Sequence, residues 1–167
     1  MGERTYSFDA FMQLSDGAVA QTAPGFSQVA GAQKTLDFGG SPSRTDLGIV
    51  GGWARIDAAL VIDVSALNVA NANNDYRFVV LGSNNANMSS PVVLGEMELG
   101  NGAALPFGSA GLASTGAGST SVPGRYEILF TTEQADIKYE FVGLYLVTAG
   151  TSPSIQYTAF VAVLPEE

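Results

Sequence analysis

Residues 53–64 read Trp53-Ala-Arg-Ile-Asp-Ala-Ala-Leu-Val-Ile-Asp-Val64, and this stretch decides the fold. Ile56, Ala58, Leu60, Ile62 and Val64 recur at every second position, while Arg55, Asp57 and Asp63 stand on the alternate set. A period of two belongs to a strand, whose successive side chains point to opposite faces. One apolar and one wet face is what an antiparallel sheet laid on a core requires. The arithmetic repeats at 124–132, where Tyr126, Ile128 and Phe130 oppose Arg125 and Glu127. Working outward, alternation bounded by Gly, Pro, Asn and Ser predicts further strands at 6–14, 34–38, 75–83, 92–99, 138–148 and 155–164. The expected fold is all-β: a two-sheet antiparallel sandwich of about eight strands with long Gly/Ala/Ser-rich loops. Its 167 residues suit one domain spanning 1–167.

The last two predicted strands are apolar on both faces. In 138–148, Tyr139, Phe141, Tyr145 and Val147 oppose Val142, Leu144 and Leu146. Such strands need cover on their second face, from a partner or from a crossing segment. Between them, Ala149-Gly-Thr-Ser-Pro153 is short enough to predict a hairpin joining adjacent strands.

Composition removes whole classes of chemistry. The chain has no Cys and no His, so no Ser-His or Cys-His nucleophilic pair can form. Zinc sites of imidazole or thiolate, haem attachment, iron–sulfur clusters and disulfides are excluded with them. No cofactor, metal or catalytic residue is expected, and the chain is not read as an enzyme. A formal charge of −9 repels a phosphate backbone, so nucleic acid is not an expected partner. No run of apolar residues is long enough to span a membrane, and the start Met-Gly-Glu-Arg-Thr-Tyr lacks the apolar core of a signal peptide. Neither membrane insertion nor classical secretion is indicated.

What chemistry remains rests on carboxylates and amides. Glu96 and Glu98 share a strand face roughly 7 Å apart, a separation that inverting glycosidases use, but same-face acidic pairs on wet strands are common. The solvated face is the favoured reading. The Asn-rich runs 68–75 and 83–87 are turns first, because Asn tolerates left-handed backbone and caps its own turn. Calcium wants more carboxylates than Asp75 alone supplies there. Trp53, the only tryptophan, could form a sugar-stacking platform with Tyr76 or Tyr126. The alternative function is therefore a carbohydrate-binding β-sandwich module, from a phage tail or as an accessory to a secreted enzyme.

Charge is scarce, at 14 % of residues against roughly 25 % in ordinary domains, and the scarcity is uneven. No charged residue lies between Asp16 and Lys34 or between Glu98 and Arg125. Long uncharged segments in a compact domain suit contact, since interface cores are depleted of charge. Segments 16–33 and 99–124 are expected to be contact arms, with Phe26, Leu105, Phe107, Leu112 and Trp53 as the partner-contact residues.

Three stretches carry a resemblance to a known group: Asp75-Tyr-Arg-Phe-Val-Val-Leu-Gly-Ser-Asn-Asn-Ala-Asn-Met-Ser-Ser-Pro-Val-Val-Leu-Gly95, Tyr139-Glu-Phe-Val-Gly-Leu-Tyr-Leu-Val-Thr-Ala-Gly150 and Tyr157-Thr-Ala-Phe-Val-Ala-Val-Leu164. In these, and in strand order over 6–164, the chain resembles the jelly-roll capsid cement, or decoration, proteins of tailed bacteriophages. The resemblance implies a jelly-roll sandwich made in the host cytoplasm and mounted on the outer capsid surface of the virion. There it would bind the major capsid protein, tie neighbouring capsid subunits together and associate with itself as a dimer or trimer. It implies no catalysis and carries over no active-site residue.

Overall fold

The fold is described from a computed structural model covering residues 8–39, 55–101 and 120–163. A 3-10 turn at Ala10–Met12 leads into β1 (Gln13–Asp16), β2 (Gly25–Phe26), β3 (Gln28–Val29), β4 (Ala32–Gln33) and β5 (Thr35–Asp37). The long strands follow: β6 (Asp57–Leu67), β7 (Asp75–Ser83), β8 (Val92–Gly100) and β9 (Gly124–Thr131). A small hairpin of β10 (Glu133–Gln134) and β11 (Ile137–Lys138) precedes β12 (Phe141–Ala149) and β13 (Ile155–Val163).

The chain is all-β, and every pairing among the described strands is antiparallel. One main sheet runs β1-β13-β6-β9; the other runs β2-β12-β7-β8, with β5 pairing β12 beyond β2. The inner faces of both sheets meet in one core. Leu60, Ile62, Phe78, Leu144 and Leu146 are fully buried there, each stabilising by about 1.5–3 kcal/mol relative to exposure. The rings of Phe78 and Tyr157 meet edge-on across the core at 4.9 Å.

Alternation placed the apolar face of 53–64 correctly: Ala58, Leu60, Ile62 and Val64 of β6 are all buried. The outer face differs. Ala59 and Val61 lie there beside Asp57 and Asp63, yet both are fully buried. Phe160, paired opposite Val61, is also buried, and the ring of Phe8 stands edge-on to it at 5.3 Å. On the outside of the other sheet, a Cβ at Gly143 would lie 3.3 Å from both Met88 and Phe26. The connection after β7 thus folds Met88, itself buried, over β12. Cover for the doubly apolar strands comes at these places from crossing segments of the same chain.

Three expectations are corrected. The strand predicted at 6–14 begins only at Gln13, because the Asp9 carboxylate accepts the Phe11 amide (2.9 Å) and winds the preceding residues into the 3-10 turn; residues 6 and 7 lie outside the described residues. The strand predicted at 138–148 starts at Phe141, since Lys138 is taken up by the β10–β11 hairpin. The connection 149–153 is not a hairpin. It carries the chain from one sheet to the other, because β12 pairs β7 while β13 pairs β6. Both strands sit in sheet interiors, and their outer apolar faces meet the segments that carry Phe8, Phe26 and Met88.

Along one margin the two sheets close on each other. A Cβ added at Gly95 of β8 would stand 2.9 Å from Ile128 Cγ2 of β9. Only the missing side chain lets these edge strands approach.

Candidate functional site

Strand direction sorts the connections into two ends. At one end β1, β6, β8 and β12 finish and β2, β7, β9 and β13 begin, so the connections 17–24, 68–74 and 150–154 gather there. The connection from β8 to β9 leaves and returns at this same end. Ser121, buried, donates its amide to the Gly100 carbonyl (2.8 Å), and its hydroxyl accepts the Gly100 amide (3.0 Å).

Segment 16–33 is not an arm extended away from the body. Its Asp16 carboxylate gathers the amides of Ala18 (3.0 Å) and Ala30 (2.7 Å), and these donors hold the carboxyl below its ordinary range. Gln21 exchanges backbone hydrogen bonds with Ile155 at 2.8 and 3.1 Å, and its side-chain amide donates to the Gly25 carbonyl at 2.9 Å. The buried Ser27 hydroxyl lies 2.6 Å from the Tyr157 hydroxyl, and burial pushes that phenol up to about 12. A cleft of about 400 Å³ opens among Asp16, Gln21, Phe26, Gln28, Gln33 and Tyr157. Among the described residues, Asp16 is the only charged one lining it. Segment 16–33, expected as a contact arm, is a lobe folded on its own body and held by Asp16, Gln21 and Ser27.

Phe26, one of the expected partner-contact residues, is half-buried. Its ring packs edge-on against Tyr145 at 5.0 Å. Trp53, Leu105, Phe107 and Leu112 lie outside the described residues.

The Asn-rich run 68–74 is a brace between connections, as the turn reading requires. Asn68 donates to the Ser152 carbonyl (2.9 Å), Asn71 to the Thr151 carbonyl (2.7 Å) and Asn73 to the Thr151 hydroxyl (3.2 Å). Asn101 donates to the Val69 carbonyl at 2.9 Å. The fully buried Asn74 donates to the Asn68 carbonyl (2.9 Å) and is pressed between two glycines. A Cβ on Gly100 would lie 2.5 Å from the Asn74 carbonyl oxygen, and one on Gly150 would lie 2.5 Å from Asn74 Oδ1. Sequence reading missed this clamp; the signal for it was Gly at the last position of β8 and just past β12.

Tyr76 and Tyr126 are buried, so neither offers a face to a sugar ring. The Tyr76 hydroxyl accepts the Ser154 amide (2.8 Å) and donates to the Asn68 carbonyl (2.7 Å), while Tyr126 donates to the Val122 carbonyl. This corrects their place in the proposed platform. Glu96 and Glu98 share the outer face of β8, opposite Val79 and Arg77. There one oxygen each of Glu98 and Asp75 is buried without a hydrogen-bond partner. Burial first, and the Glu98 charge second, raise the Asp75 carboxyl above its ordinary value. Among the described residues no group of three or more acidic side chains is placed to hold a metal ion, and no helix is long and apolar enough to cross a membrane.

Compared with known proteins, the chain matches no family model and no curated protein.

Proposed function

We propose that this chain is a structural virion protein: a capsid cement or decoration protein that binds the outside of a phage capsid and links neighbouring major capsid subunits. The observation that carries this reading is strand order. Counting β2 and β5 as one strand interrupted by the β3–β4 hairpin, and setting aside the separate β10–β11 hairpin, gives eight successive strands, with sheets ordered 1-8-3-6 and 2-7-4-5. That order supports a jelly roll, the double-Greek-key arrangement used by viral capsid and lectin domains. The charge-poor connections and the sequence resemblance favour the capsid over the lectin. The burial of Tyr76 and Tyr126 argues the same way, since it removes two of the three aromatics a sugar platform would have used. Self-association as a dimer or trimer belongs to the same proposal.

The test is composition of the particle. Virions of the encoding phage should contain this chain in fixed stoichiometry to the major capsid protein, and image reconstruction should place it on the outer surface. Its absence from purified virions, or binding on a glycan array, would refute the cement reading.

A further inference from the structure

The connections 17–24, 68–74 and 150–154 contain no charged residue, and the fold brings all three to one end of the sheets. Residues 120–123, which return to this end, are uncharged as well. At the other end the connection 84–91 is uncharged too, but charged residues gather beside it. Asp37 closes β5, Arg55 pairs with Asp57 as β6 opens (3.0 Å), and Glu133, Asp136, Lys138 and Glu140 follow β9. The Phe38 amide donating to the Glu140 carbonyl (2.9 Å) and the Thr132 amide donating to the Ile56 carbonyl (3.0 Å) hold these groups together.

The charge-free end is also prepared for burial. Its asparagines spend their side-chain amides on carbonyls and hydroxyls within the end, as with Asn68, Asn71 and Asn73. Covering these asparagines therefore strands few of their polar groups. Between those asparagines Ala70 and Ala72 point to solvent, and Val19 and Val122 stand 82 % and 62 % exposed. Of the nearest charges on neighbouring strands, Asp16 is engaged by two amides and Asp63 by Arg125 at 2.7 Å, while Asp75, which opens β7 at this end, keeps one oxygen already buried without a hydrogen-bond partner.

We infer that this end is the docking surface, and that its partner is an uncharged patch of protein on the capsid exterior. A chain of net charge −9 meets such a surface at least cost through the end whose connections 17–24, 68–74 and 150–154 carry no charge, while its acidic end stays in water. The inference rests on the cement reading and narrows it: the contact is made by the end of the sandwich rather than by a sheet face.

The experiment titrates the full chain onto particles of the encoding phage assembled without it. Ala72→Lys, Ala72→Asp and Val122→Asp should each weaken binding about tenfold or more, whereas Gln134→Lys and Gln134→Asp at the charged end should leave it within about twofold. All three positions are exposed, and an unchanged circular dichroism spectrum and thermal midpoint establish that each variant folds; Ala70→Lys stands in for any that does not. Binding should not fall as salt rises from about 50 to 500 mM, since no ion pairs are screened. Wild-type binding that ignores charge at 72 and 122 overturns this inference and leaves the cement reading standing. Weakening by one sign of charge alone assigns a charged partner and overturns it too. Failure of the wild-type chain to bind overturns both readings, and glycan binding lost in Ala72→Lys gives the end to a sugar instead.

Discussion

Gly150 shows how narrowly single residues fix this fold. Its φ of +108° is one that side-chain-bearing residues rarely adopt, and a Cβ there would collide with the Asn73 carbonyl and with Asn74. Gly150→Ala should cost about 2–4 kcal/mol in urea unfolding. Gly31→Ala, at φ +77° but with nothing within 4 Å, should cost only about 1 kcal/mol. The Tyr157 phenol makes a second prediction. Its folded-state value of about 12 lies above the ordinary 10.0, so its contribution is intact below pH 10 and is lost as pH rises from 10 to 12. The loss should be about 2–3 kcal/mol, and Tyr157→Phe should remove that part of the pH dependence. Asp75 acts in the same sense at acid pH. Its raised carboxyl favours the folded state only below the ordinary value of 3.8, and that advantage goes as pH climbs through the folded value. Asp75→Asn should therefore stabilise the protein at pH 7 and do so less at pH 3. None of these three environments was legible in sequence, because Gly150 owes its own to the close approach of Asn73 and Asn74, and Tyr157 and Asp75 owe theirs first to burial by segments distant along the chain or across a strand pair.

At the scale of elements, the long strands were legible and their partners were not. Strand 75–83 was read with the bounds it has in the structure, because alternation and the flanking Asn and Gly mark both ends. The 149–153 connection was misread because its length fits a hairpin as well as a crossover between packed sheets. Short hairpins escaped notice altogether. At the tip of β10–β11, Ala135 and Asp136 have φ of 50° and 61°, where Asn-Gly is the favoured pair. Changing Ala135 to Asn together with Asp136 to Gly should raise stability by about 0.5–1 kcal/mol. The contact between β8 and β9 at Gly95 gives the opposite outcome: Gly95→Val should destabilise by about 1–3 kcal/mol through overpacking against Ile128. Denaturant titration reads both.

For the whole molecule, one shared core predicts one unfolding event. Heat or urea should produce a single transition that coincides by circular dichroism and tyrosine fluorescence, and two separated transitions would mean that the sheets unfold independently. The sequence by itself determined the class of fold, the core-facing residues of the long strands, the exclusion of Cys and His chemistry and the uneven scatter of charge. These are properties of local order along the chain: a period of two, a residue count, a run without Lys, Arg, Asp or Glu. Only the tertiary structure decided that the three uncharged connections 17–24, 68–74 and 150–154 share one end, that segment 16–33 folds onto its own body and that outward-facing Val61 and Phe160 are covered. Such outcomes depend on which strands pair and which segments cross them, and pairing is set by packing among residues as far apart as Gln21 and Ile155. Periodicity says which way a side chain faces, but only the assembled sheets say what it meets there.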